Sequence, residues 1–157
     1  MALPPDVSER ELWRIRIQTL LFGPPLNGAQ KADAVTGLNS RFSPEEIRLE
    51  FFPLLQIPQR SHGIEPWRLL SAQDTRFLRA VAREEISERV ALELVRWEPE
   101  AFHEIADTLL EIKCSASIQW EIVERISEIA VREETSHTQV LASIKKNLIA
   151  QADDTDH

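Results

Sequence analysis

One cysteine, four glycines and no tyrosine are what this 157-residue chain has least of. Cys114 alone cannot close an internal disulfide. The four histidines, His62, His103, His137 and His157, stand at no spacing that would join it as zinc ligands. A core stapled by disulfide or zinc is excluded, so packing must hold the fold. No apolar run approaches the roughly 18 residues that a bilayer crossing needs, and the opening MALPPDVSER lacks the charged-then-apolar pattern of a secretory signal. These absences make a cytoplasmic protein with no membrane partner the expectation. Strands need β-branched and aromatic alternation bounded by turn residues, and no segment offers it over a useful length. With abundant Glu, Arg, Leu, Ile and Ala, the chain is expected to be all-α, a multi-helix orthogonal bundle.

The formal charge of −8 speaks at first against nucleic acid, whose phosphates reward Lys and Arg through counterion release. The charge is unevenly placed, however. Residues 1–40 and 41–96 are each neutral, and the whole deficit sits in residues 97–157, with 5 basic and 13 acidic side chains. Within 59–83, Arg60, Arg68, Arg76, Arg79 and Arg83 face only Glu65 and Asp74, a local balance of +3. A basic middle beside an acidic end is compatible with DNA contact through one face.

Helix starts are well marked, because Ser or Thr with Glu three residues later satisfies orphan N–H groups at both ends of the box. Ser8 with Glu11 opens a first helix carrying Leu12, Ile15, Leu20 and Leu21, which ends near Gly23-Pro24-Pro25. A second runs from about Gly28 to Asn39, with Ala32, Val35 and Leu38 on one face. Ser43-Pro44-Glu45-Glu46 begins a third, with Pro44 at the first helical position, and Pro53 must stop it. The apolar connection LLQIPQR follows, then a helix firm from Pro66 to Leu70. SAQDTRFLRAVAREE and SERVALELVRW read as two short helices, the second capped by Ser87. Glu98-Pro99-Glu100 opens another, to about Lys113. Ser115 or Ser117 caps the longest, in which Ile118, Ile122, Ile126 and Ile129 form a stripe. A last helix runs from about His137 to Ile149 with Val140, Leu141, Ile144 and Leu148, and the tail QADDTDH is expected to be disordered.

Candidate chemistry is thin. His103 and Asp107 fall at i, i+4 with Glu104 between them, an echo of the H-E-x-x-H zinc signature without its second histidine or a third ligand. A solvated helix face is the simpler reading. The pairs Glu45-Glu46, Glu84-Glu85 and Glu133-Glu134 could suggest nuclease carboxylates, but sequence neighbours point about 100° apart on a helix. Cys114 has no histidine context for a nucleophile. Trp13, Trp67, Trp97 and Trp120, spread over four helices, are expected to be core anchors. Trp67, between Arg60 and Arg68, is the one whose surroundings would also suit a clamp on nucleic acid. No catalytic residue, metal or cofactor is expected.

From Leu26 to Leu141 the order of pieces resembles the region that follows the nucleotide-binding domain in the ParB family of chromosome and plasmid partition proteins. PLNGAQKADAVTGL looks like the helix that follows the family's L-N-P-x-E-x-A pattern. FSPEEI looks like the start of its helix-turn-helix and WRLL like the end of the second helix. AREEISERVALELVRWEPEAF is similar to the segment carrying E-G-x-(I/L)-S-x-x-x-A-x-x-L, and CSASIQWEIVERISEIAVREETSHTQVL to an ending found in divergent relatives. Three features depart from the pattern. The family's arginine-rich nucleotide-binding domain has no counterpart, so the resemblance implies neither CTP hydrolysis nor nuclease activity. Arg48 stands where a small residue usually lets two helices cross, and the connection Pro53 to Arg60 is longer than a three- or four-residue turn.

The expectation is a divergent helix-turn-helix in a non-enzymatic, DNA-binding, ParB-like portion of a partition or regulatory protein. Arg60, Ser61, His62 and Arg68 would lie on the reading helix, with Arg76 and Arg79 on phosphates. The expected divisions are 1–25 as helix and linker, 26–113 as the helix-turn-helix domain, 114–150 as a helical hairpin, and 151–157 as tail. The competing expectation is an interaction module whose acidic C-terminal helices form a homodimer or dock a basic partner, with a degenerate helix-turn-helix that does not read DNA.

Overall fold

A computed structural model describes residues 8–59 and 63–155. All regular secondary structure among the described residues is helical, without strands, as the sequence pattern leads one to expect. The helices are α1 (Glu9–Leu21), α2 (Gly28–Asn39), α3 (Pro44–Glu46, continuing as a π-helical turn over Ile47–Phe51), α4 (Glu65–Ser71), α5 (Thr75–Ala82), α6 (Glu88–Leu94), α7 (Pro99–Ile112), α8 (Ala116–Arg132) and α9 (His137–Thr155). None of the described helices is long and apolar enough to cross a membrane. The chain divides into two compact units, Met1–Arg83 and Glu84–His157. This division differs from the breaks expected at 25 and 113. Helix α1 belongs with α2 rather than to a linker, and α6 and α7 belong with α8 and α9 rather than with the helices before them.

In the first unit α2 is the central element. Ala32, Val35 and Leu38 are fully buried, and α2 packs against α4 and α5. Its N-terminus is closed by a reciprocal box in which Asn27 and Gln30 each accept from the other's backbone N–H. Helix α1 lies against α2 at Gly37, where an added Cβ would stand 2.8 Å from the Trp13 ring. In α3, Ser43 accepts from the Glu46 N–H and Pro44 occupies the first turn. The helix then widens, with Phe52 N–H donating five residues back to Ile47 C=O at 2.9 Å. The widening comes just before Pro53, whose ring would meet the Leu49 carbonyl in a regular helix. Phe51 and Phe52, adjacent in sequence, are both fully buried.

The connection after Pro53 contributes Leu55 and Ile57 to the core, while Gln56, Pro58 and Gln59 are exposed. Gln56, at φ 60°, is a left-handed cap, with Gln56 N–H on Pro53 C=O and Ile57 N–H on Phe52 C=O. Leu55 and Ile57 are buried with Trp67 and Leu70. The residues between α3 and α4, 52–64, exceed a helix-turn-helix turn, as the long connection from Pro53 to Arg60 in the sequence leads one to expect.

In the second unit the buried stripe of α8 is Gln119, Val123, Ile126 and Ala130, not the isoleucine stripe that the sequence suggests. Ile118 is 48 % exposed, and of the four isoleucines only Ile126 is fully inside. Gln119, 1 % exposed, explains the rotation. Its amide oxygen accepts from Ser87 N–H at 3.0 Å, and its NH2 donates to Glu85 C=O at 2.8 Å and Cys114 C=O at 3.2 Å. Every polar atom of the buried amide is thus satisfied, and α8 is tied to the start of α6. Helix α9 starts against α7, where Glu98 accepts from the His137 backbone N–H at 3.3 Å and lies 3.0 Å from His137 Nδ1. The His137 ring stacks on Trp97 with centroids 4.3 Å apart. Helix α9 continues to Thr155, so residues 151–155 extend a helix where the sequence suggests a tail.

Candidate nucleic-acid interface

Three of the residues expected to read DNA, Arg60, Ser61 and His62, lie outside the described residues. Arg68 is on α4, exposed, and engaged. Its Nε and Nη2 donate to the two carboxylate oxygens of Glu65 at 3.0 and 2.6 Å. The hydrogen bonds to Arg68 draw the Glu65 carboxyl below its ordinary range, and those to Glu65 raise the Arg68 guanidinium above its own. This is the same forked edge that a guanine would need, so base reading by Arg68 competes with an intrahelical ion pair. Trp67 is 2 % exposed and belongs to the core, which leaves it no face for stacking on a base.

Helix α5 has the arrangement that α4 lacks. Asp74 caps it, accepting from Phe77 N–H at 2.8 Å. Phe77, Ala80 and Val81 fill the buried side. At about 100° per residue, Arg76, Arg79 and Arg83, which stands just past the last helical residue, fall within about 60° of one another beside the buried side. All three are exposed, and residues 75–83 contain no acidic side chain. A packed helix with exposed arginines along one side can bring them to successive phosphates without reordering its backbone.

Helices α4 and α5 are joined by residues 72–74, a turn of helix-turn-helix length. The turn is closed by Gln73 N–H on Leu70 C=O at 3.1 Å and by Gln73 Nε2 on Leu69 C=O at 3.2 Å. Thr36 on α2 and Ser71 at the end of α4 share a 2.7 Å hydrogen bond, fixing α4 where the turn begins. The short turn therefore lies one helix later than the long connection at which the resemblance puts the helix-turn-helix. Arg76 and Arg79, the residues that the sequence suggests for phosphates, stand together on α5, the helix after the turn. Arg83, part of the basic stretch of the sequence but not among its expected phosphate contacts, stands just past the end of that helix. Its spacing of seven from Arg76 is the signal that would find it.

No metal cluster of three or more His, Cys, Asp or Glu occurs among the described residues. His103 rests edge-on to Phe102, and Glu104 pairs with Lys145 of α9, so the HEIAD segment serves packing and an ion pair. Comparison of the chain with protein-family models, with curated proteins and with solved structures finds no match.

Proposed function

We propose that this chain is a non-enzymatic DNA-binding domain, ParB-like in the order of its pieces, and that α5 is the helix that meets DNA. The observation that carries this reading is the exposed arginine stripe Arg76, Arg79 and Arg83 on a helix whose adjoining side is core. The short connection from α4 supports it, since a reading helix must be held rigidly by its partner. Arg76, Arg79 and Arg83 engage phosphates. Thr75, at the first position of α5, stands where the leading residues of a reading helix reach base edges. Arg68 joins them only by exchanging Glu65 for a nucleic-acid acceptor, an exposed exchange that solvent makes inexpensive.

The test is a titration of mixed-sequence duplex DNA at two salt concentrations with the intact chain and with Arg76, Arg79 and Arg83 changed to Ala. The substitutions should weaken binding to all sequences alike and flatten the salt dependence by roughly 0.9 for each phosphate no longer neutralised. Helical content of the variant, measured in parallel, separates loss of the guanidinium groups from loss of the fold. An intact chain with no DNA affinity at low salt would contradict the reading. Concentration-dependent self-association, abolished on changing Leu148 and Ile149 to Glu, would then favour a homodimer through the C-terminal helices, since those two α9 side chains are 59 % and 63 % exposed.

A further inference from the structure

The Gln119 clamp that turns Val123, Ile126 and Ala130 inward also decides what α8 shows beside them. Trp120, Glu124, Ser127 and Val131 follow at i, i+4, i+7 and i+11 on the adjoining face, with Glu128 next to them. With Glu93 of α6 and Arg132 they line an open groove of about 450 Å³ within the second unit. Its floor is apolar and incompletely covered: Trp120 is half-buried and Val131 is 79 % exposed. Ser127 Oγ is buried there without a hydrogen-bond partner among the described residues. Its rim is carboxylate, from Glu93, Glu124 and Glu128. The cations at its edge are accompanied: Arg96 lies 3.7 Å from the rim carboxylate Glu93, Arg132 lies 3.8 Å from Glu133, and the Arg89 guanidinium sits 3.6 Å from the centre of the Trp120 ring.

We propose that this groove docks a basic amphipathic helix of a partner protein. Apolar side chains of that helix cover Trp120 and Val131, and its Lys and Arg heads meet Glu93, Glu124 and Glu128. A floor of large apolar side chains between charged edges suits the helix-in-groove mode, in which residues at i, i+3, i+4 and i+7 anchor. The charge argues for a cationic occupant. Residues 84–157 carry 17 acidic and 7 basic side chains, so a basic segment is drawn toward this unit while phosphate is repelled. The Arg89 contact shows that the Trp120 ring receives a guanidinium. A second copy seated groove to groove is disfavoured, because a two-fold contact sets Glu124 and Glu128 against the same acidic rim.

The experiment uses the full chain and a fluorescein-labelled helical peptide of about 16 residues, with Leu on one face and Lys and Arg on the other. A peptide of the same pattern with Glu in place of the basic residues is the control. The proposal expects saturable binding of the basic peptide by anisotropy, weakening as salt rises, and none of the acidic one. Glu124→Lys with Glu128→Lys should weaken it about tenfold or more, as should Val131→Asp. All these positions are exposed, so folding is not at stake, and circular dichroism of each variant confirms it. Changing Arg76, Arg79 and Arg83 to Ala should not affect peptide binding, so failure here is distinguishable from failure of DNA binding. Equal binding of the two peptides, or undiminished affinity in the charge-reversed or Val131→Asp variants, would overturn the proposal, as would absence of binding at low salt.

Discussion

Residues 1–83 carry 11 basic and 9 acidic side chains, and residues 84–157 carry 7 and 17, so balances of +2 and −10 lie behind the single value of −8. Helices α5 and α8 express the contrast most plainly. Each buries one apolar side and exposes the other. The exposed side of α5 is arginine, whereas that of α8 is mainly glutamate around a partly uncovered tryptophan and valine. A net charge averaged over the chain would exclude nucleic acid for the molecule, although the unit that carries α5 is slightly basic. With a Debye length of about 8 Å at physiological salt, surface charges act on what lies close to them. The relevant charge is that of a face, not of a chain.

The units also differ in what fixes their helices. The centre of the first is apolar, with Leu38, Phe51, Phe52, Trp67 and Leu70 within 2 % of full burial. The second depends on a buried amide. Gln119→Leu keeps the bulk but leaves Ser87 N–H and the Glu85 and Cys114 carbonyls without their partner. It should cost roughly 1–3 kcal/mol, with hydrogen exchange accelerated at the start of α6. Unchanged stability would show that the clamp is incidental and that the contrast between the units is one of charge alone.

A smaller and opposite effect is expected in the first unit. Gln56 holds a left-handed backbone that glycine adopts without a Cβ penalty, and Gln56→Gly should raise stability by about 0.5–1 kcal/mol in denaturant titration, net of the freedom glycine gains when unfolded. A loss would mean that the Gln56 side chain contributes contacts worth more than the strain.

The smallest effect concerns acid. Burial would raise the Glu98 carboxyl, but its own backbone N–H and the ring, charge and backbone N–H of His137 together hold it below its ordinary range. A depressed folded pKa gives stability that is present above the unfolded value of about 4.3 and is lost as pH falls through the folded one. The start of α9 should therefore lose protection below that range, and Glu98→Gln should abolish this part of the pH dependence. An unaltered acid profile in Glu98→Gln would show that the loss arises elsewhere.

Where local rules act alone, the sequence is readable. Ser8, Ser43 and Ser87 cap helices where the sequence places caps, Ser115 is the one of its two candidates that caps α8, and the all-α class follows from the missing alternation. What escapes is tertiary or depends on rare backbone. The buried face of α8 is set by Gln119, a polar residue that no hydrophobic pattern would place inside. With only four glycines in the chain, helix ends at Gln56, Glu84, Lys113 and Glu134 enter left-handed backbone without the usual signal. The sequence separates α4 from α5 but starts the second near Ser71, because the Asp74 cap on Phe77 N–H that sets its true start shows only in the structure. The resemblance pairs α3 with α4 across a long connection, whereas the short turn lies between α4 and α5.

The most direct test of the opposite roles of the two faces is residue-resolved. Amide spectra of the intact 15N-labelled chain, titrated at low salt with a mixed-sequence duplex, should show shifts concentrated at residues 73–83, with those of α8 unmoved. Shifts along Trp120 to Arg132 with α5 silent, or no shifts at all, would contradict the assignment of DNA to the arginine face.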